Sequence, residues 1–144
     1  MLFRSLERGW AKADKVREDF QLSGPLFVVT GTNDEEIAKA RAGTKQQIAF
    51  YGSTPAYKGV LELHGWDGMH EELNALSKKG GWVEMGNLIT DDILNTFAVV
   101  GSPEQIAPEL LRRYGDVIQR ISFYAPYKSD PDRWRSVLAA LQAS

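Results

Sequence analysis

The sequence predicts a helix-rich α/β fold that forms the end of a larger barrel rather than a complete domain. Three observations lead there. Residues 24–31, Gly-Pro-Leu-Phe-Val-Val-Thr-Gly, and residues 120–127, Arg-Ile-Ser-Phe-Tyr-Ala-Pro-Tyr, both read as buried parallel strands. Almost everything around them carries helical spacing. Such strands need neighbours on both edges and helices on both faces, and 144 residues with so few strands do not easily supply them.

The elements follow in order. Leu2, Phe3, Leu6, Trp10, Ala13, Val16 and Phe20 recur at spacings of three or four, predicting an amphipathic helix over residues 2–20 with Arg4, Glu7, Arg8, Lys12, Lys15 and Glu18 outward. Ser23-Gly24-Pro25 breaks it, and residues 25–30 form a strand without alternation, ended by Gly31. Asn33 caps the next helix, with Glu36 at the capping-box position and acids suited to the helix dipole. It runs to about Tyr51 with Ile37, Ala40, Ala42, Ile48 and Ala49 available for packing, and Gly52-Ser53-Thr54-Pro55 stops it. Short helices are expected over 56–63, 68–78 and, behind a Thr90 cap, 90–97. The segments around Gly65-Trp66-Asp67-Gly68 and Lys78-Lys79-Gly80-Gly81-Trp82 read as turns. Residues 97–101 fit either a strand or an extended loop. Ser102 caps a helix over 102–114 with Pro103 at its first position and Gln105 completing a capping box. A second strand spans 117–125, and Ser129-Asp130-Pro131-Asp132 opens a last helix over 130–141 with Trp134, Val137, Leu138 and Leu141 inward. The chain is therefore one partial barrel domain, 1–144, with a helical insertion over 32–97 that is far longer than a simple crossover needs. In α/β folds such insertions sit at the carboxyl ends of strands, where ligands bind.

Composition narrows the function. Apolar and charged residues make up 43% and 25%, ordinary for a soluble globular chain. A net charge of −2, from 17 basic and 19 acidic residues, provides no electrostatic case for nucleic acid or an anionic membrane. Without cysteine there are no disulfides, no thiolate chemistry and no cysteine-based metal sites, which suits a cytoplasmic protein. No apolar run reaches the ~18 residues of a spanning helix, and Met1 to Arg8 is charged, without a signal-peptide core.

The familiar catalytic signatures are absent: no G-x-S-x-G elbow, P-loop, Rossmann glycine fingerprint or metalloprotease zinc helix. His64 and His70 lack an obvious third ligand, so no metal is expected. The segment 47–57, Gln-Ile-Ala-Phe-Tyr-Gly-Ser-Thr-Pro-Ala-Tyr, is dense in aromatics and hydroxyls. It reads either as a helix end packed into the core or as a pocket wall in which Tyr51, Ser53, Thr54 and Tyr57 place hydroxyls around an apolar substrate. His64 is a candidate proton donor or a helix-terminal residue meeting the last carbonyls. Gly101 and Ser102 open a helix whose N-terminus either caps itself or holds a cofactor phosphate. Tyr127 follows a strand's carboxyl end and is a pocket candidate.

Five phrases in this order carry a resemblance: residues 24–31, 47–57, Leu61-Glu62-Leu63-His64-Gly65-Trp66, residues 97–105 and residues 120–127. Together they resemble the carboxyl-terminal part of the luciferase-like monooxygenase class, and within it the oxidoreductases that use the deazaflavin coenzyme F420, a branch typical of actinobacteria. The resemblance runs from about residue 3 to 141. It implies a TIM (β/α)8-type barrel with residues 25–30 as the seventh strand and 118–125 as the eighth, so two to three parallel strands of the whole. It implies coenzyme F420 or FMN in the intact enzyme, held mainly by earlier strands and a phosphate loop that this chain lacks. It makes Tyr51, Ser53, Thr54, His64 and Trp66 substrate-side candidates. The expected partners are a small-molecule substrate and either a second copy or an amino-terminal half. The other reading is a non-catalytic α/β module that associates through its exposed strand edges.

Overall fold

The computed structural model describes residues 2–143, with side chains from Ser5 onward. Its centre is a three-stranded parallel sheet in the order β2-β1-β3, with β1 at Ser23–Thr30, β2 at Ala98–Gly101 and β3 at Arg120–Tyr124. The first strand in sequence is therefore the middle one. Its carboxyl half pairs with β2, Phe27 opposite Ala98 through Thr30 opposite Gly101. Its amino half pairs with β3, Ser23 opposite Arg120 through Phe27 opposite Tyr124. Pro25 lies in the stretch that β3 alone pairs, the edge-like position where a residue without an N–H is tolerated.

Helices cover both faces, as a continuous apolar strand requires. On one face Phe27 and Val29 pack against α2 (Asp34–Gly52), α3 (Lys58–Leu63), α4 (Met69–Ser77), α5 (Trp82–Leu88) and α6 (Asp91–Phe97), around buried Ile48, Leu61, Leu73, Met85 and Leu94. On the other, Leu26, Val28 and Val99 meet α7 (Pro103–Tyr114) and α8 (Pro131–Gln142) through Ile106, Leu110 and Val137. Alternation along β1 thus assigns odd residues to one layer and even residues to the other.

Local chemistry sets the helix starts. Asn33 Oδ1 accepts from the Glu36 amide at 2.9 Å, Thr90 Oγ1 from Ile93 at 3.3 Å and Asp130 Oδ1 from Asp132 at 2.9 Å. The Glu36 carboxylate reaches past Asn33 to the Thr32 amide and hydroxyl, both at 2.8 Å, and also pairs with Arg133 at 2.6 Å. That last bond ties α8 to the first turn of α2.

The structure departs from the sequence expectations in several places. The first helix, α1, ends at Lys12 rather than near residue 20, because Asp14 turns left-handed at φ 52°. Phe20 comes back to stack on Trp10 at 5.7 Å, and Val16 and Phe20 are exposed rather than inward. The side chains of Leu2, Phe3 and Arg4 lie outside the described residues. Residues 98–101 are a strand. The strand expected over 117–125 is confined to 120–124, since Val117 and Ile118 close a turn on the Tyr114 carbonyl. Trp82, read as the end of a turn, instead begins α5. Ala42 and Leu138 are exposed rather than packed. Among the described residues no helix is long and apolar enough to cross a membrane.

Candidate functional site

The face of the sheet under α2 and α3 does not close completely. A cavity of about 340 Å³ remains, within the size range of small-molecule sites. β1 contributes Pro25 and Phe27, and β3 contributes its last residue, Tyr124. Ile48, Tyr51 and Gly52 come from the end of α2, where spacings of three and four put them on one face. Tyr57, Val60 and Leu61 follow from α3 and the 3₁₀ turn before it, and Phe97 closes the far side from α6.

The walls are aromatic rings in mutual contact. Phe27 stacks on Tyr124, with centroids 4.9 Å apart and planes at 24°, because the strand register places them opposite one another. Tyr51 leans on Tyr57 at 5.3 Å and on Phe27 at 6.3 Å. Among the described residues no charged side chain lines the cavity. Its polar side-chain groups are the phenols of Tyr51, Tyr57 and Tyr124. The Tyr124 phenol beside Tyr51, with burial, holds the Tyr51 pKa above the ordinary tyrosine value. Tyr51 is therefore a neutral phenol at neutral pH.

Two of the hydroxyl residues singled out from the sequence, Tyr51 and Tyr57, come together in this cavity. Ser53 and Thr54 face elsewhere: their hydroxyls donate to the Phe50 carbonyl at 2.7 and 3.3 Å and finish the last turn of α2. His64 is exposed and stacks on Trp66 at 4.9 Å, and both rings meet Phe97 edge-on at 5.6 Å. That cluster touches the outside of the cavity wall, so neither His64 nor Trp66 lines the space. Tyr127 is used by the sheet: its hydroxyl donates to the Val28 carbonyl at 2.8 Å and accepts from the Thr30 amide at 3.1 Å.

Gly101 and Ser102 stand at the end of β2, away from the cavity. Ser102 Oγ donates to Glu104 at 2.7 Å, and the Gln105 side chain accepts from the Ser102 amide at 2.9 Å, so this helix start is occupied by its own side chains. The bond from Ser102 lowers the pKa of Glu104, which keeps a negative charge in the first turn of this helix. Among the described residues no group of three or more His, Cys, Asp or Glu is placed to hold a metal ion.

Phe27, Tyr124 and Phe97 went unassigned from the sequence. Tyr57, Val60 and Leu61 carry the helical spacing that could have flagged one wall. The ring pair across the sheet needs the register of β1 and β3, which no local pattern carries.

Comparison with known proteins adds the following. The family model described as luciferase-like monooxygenase matches residues 1–120. Uncharacterized proteins of Mycobacterium tuberculosis and Mycobacterium bovis are 49% identical over 117 residues, covering 81% of this chain and 34% of each relative. The 5,10-methylenetetrahydromethanopterin reductase of Archaeoglobus fulgidus is 30% identical over 125 residues, covering 82% of this chain and 32% of its own. The chain thus spans about a third of the length of the curated relatives it matches.

Proposed function

This chain belongs to the luciferase-like monooxygenase family, and on that premise we propose that it is the carboxyl-terminal portion of an oxidoreductase that uses coenzyme F420. The intact enzyme transfers hydride between the deazaflavin and an organic substrate, and this portion supplies the substrate side. The observation that carries the reading is the uncharged cavity walled by Phe27, Tyr51, Tyr57 and Tyr124. The reductase among the relatives and the resemblance to the F420 branch support it.

The residues present do not fit the coenzyme itself. Among the described residues the cavity offers no cation for a phosphate, and the helix start after β2 already holds the Glu104 carboxylate. The share of this chain is to exclude water and to orient the substrate with phenol groups. The test is to mix the purified chain, at tens of micromolar, with the coenzyme and follow absorbance and turnover. The expected result is neither binding nor turnover until the remaining barrel is supplied. Tight binding or turnover by this chain alone would falsify the assignment.

A second reading has its own observation. Neither β2 nor β3 has a partner on its outer edge among the described residues, and open edges associate. In that reading the chain is a non-catalytic module that joins a second copy or a separate amino-terminal half. Light scattering behind size exclusion separates the two: an obligate dimer favours the module, and a monomer that melts cooperatively counts against edge association.

A further inference from the structure

We propose that the cavity selects a neutral, planar ligand bearing one oxygen that hydrogen-bonds to the Tyr51 and Tyr124 phenols, and rejects an anion of the same shape. The inference rests on the substrate-side reading above and adds the chemistry of what binds.

Charge is the first argument. Among the described residues no lysine, arginine or histidine lines the space. The basic residue next to it in sequence, Lys58, is committed to Glu71 and, at 3.7 Å, to Glu62 on the protein surface. A carboxylate or phosphate entering the cavity would lose water and meet no cation, and burying an unpaired charge is strongly unfavourable.

Shape is the second. The Phe27 and Tyr124 rings lie nearly parallel, and Tyr51 and Tyr57 lean beside them. Flat aromatic walls favour flat ligands through offset and edge-on contacts.

Hydrogen bonding is the third. The Tyr51 and Tyr124 phenols both line the cavity. Each carries an O–H that can donate to a ligand carbonyl or hydroxyl oxygen. A site built to bond an oxygen discriminates against the analogue that lacks it, because its own polar group is then left unpaired.

The experiment titrates the full chain with naphthalene, 2-naphthol and 2-naphthoate, read by ligand-observed NMR and calorimetry. 2-Naphthol is expected to bind about 2- to 10-fold more tightly than naphthalene, the range of one net hydrogen bond. 2-Naphthoate is expected to bind more than about 10-fold more weakly than 2-naphthol, from the cost of an unpaired buried charge. The double variant Y51F and Y124F should erase the advantage of 2-naphthol over naphthalene while naphthalene itself still binds. Val60→Trp, at a half-open wall position, should abolish all three. 2-Naphthoate binding as well as 2-naphthol overturns the charge argument, and an unchanged 2-naphthol advantage in the double variant overturns the phenol argument. Failure of all three probes to bind overturns both the proposal and the substrate-side reading. No coenzyme is needed, so failure of the F420 assignment alone leaves these outcomes standing.

Discussion

Tyr127 takes the place of a neighbouring strand beside Thr30. β3 pairs with β1 only as far as Phe27, yet β1 continues to Thr30 with Val28 and Thr30 fully buried. The Tyr127 hydroxyl accepts from the Thr30 amide at 3.1 Å and donates to the Val28 carbonyl at 2.8 Å, so one phenol satisfies both backbone groups. Buried backbone groups without a partner are rare for good energetic reasons.

Removing that hydroxyl is the first test. Tyr127→Phe keeps the ring and should cost about 1–3 kcal/mol, the penalty of leaving buried polar groups unpaired. Urea unfolding measures it. Burial pushes the Tyr127 pKa above the ordinary value, although the bond from Thr30 and the charge of Arg133 oppose this. A pKa raised on folding means stability that is complete below the unfolded value and is lost as pH rises through the folded one. The wild type should therefore lose stability above about pH 10, and the variant should lose less of it. Tyr51, shifted the same way, keeps the loss from vanishing.

Glu36 has the opposite sign. Bonds from the Thr32 amide and hydroxyl, then the charge of Arg133, hold its carboxyl below the usual range. Its contribution is present above the unfolded pKa and fades as pH falls through the folded one. Glu36→Gln should be less stable than wild type at pH 7, and the two curves should converge as the pH is taken below about 4. Thermal melts from pH 7 to 3 check this. Parallel curves would show that the carboxylate charge is irrelevant.

Gly43 and Gly86 should respond differently to alanine. A Cβ at Gly43 would lie 2.8 Å from the Pro126 carbonyl oxygen, a backbone atom that cannot step aside. Overpacking of that kind costs about 1–3 kcal/mol. At Gly86 the atom met first is Gln46 Cγ at 2.9 Å, on a side chain that is exposed and can move. Gly86→Ala should be near neutral or stabilising by up to about 1 kcal/mol, since alanine favours the helix. Paired urea melts decide the contrast.

Leu73→Ala tests the larger core. Leu73 is fully buried among α2, α4 and α5, and its Cδ1 is the first atom a side chain at Gly52 would strike. The expected loss is about 2–5 kcal/mol from transfer and cavity terms. A loss well under 1 kcal/mol, read by chemical denaturation, would mean that the insertion helices pack loosely on the sheet.

Much of the fold was legible because its signals are local. Asn33, Thr90 and Asp130 cap helices by chemistry that involves three or four residues. The continuous apolar run of β1 announces a strand covered on both faces. The overrun of the first helix has a local cause too: Val16 and Phe20 keep the helical period although Asp14 has already broken the backbone. α5 was hidden behind Gly80 and Gly81, which look like the middle of a loop. The four residues of β2 are too few to show a period.

The cavity was legible in part. Tyr51 and Tyr57 stand out as hydroxyl-bearing aromatics near a helix stop, and both line it. His64 and Trp66 stand out equally yet pack on each other outside it, because nearness in sequence says nothing about which side of Phe97 a ring takes. The use of Tyr127 depends on where β3 stops pairing with β1, and that is fixed by register over nearly a hundred residues.

The central place of β1 has a consequence for biosynthesis. β1 is complete at Thr30, but its partners begin only at Ala98 and Arg120. At about 5–20 residues per second, a nascent chain carries this strand for roughly 3–14 s before either flank is made. During that interval both edges of an apolar segment face the exit of the ribosome, where chaperones compete with aggregation. Yield on expression should therefore depend on temperature and chaperone supply more steeply than the equilibrium stability of the finished sheet would suggest.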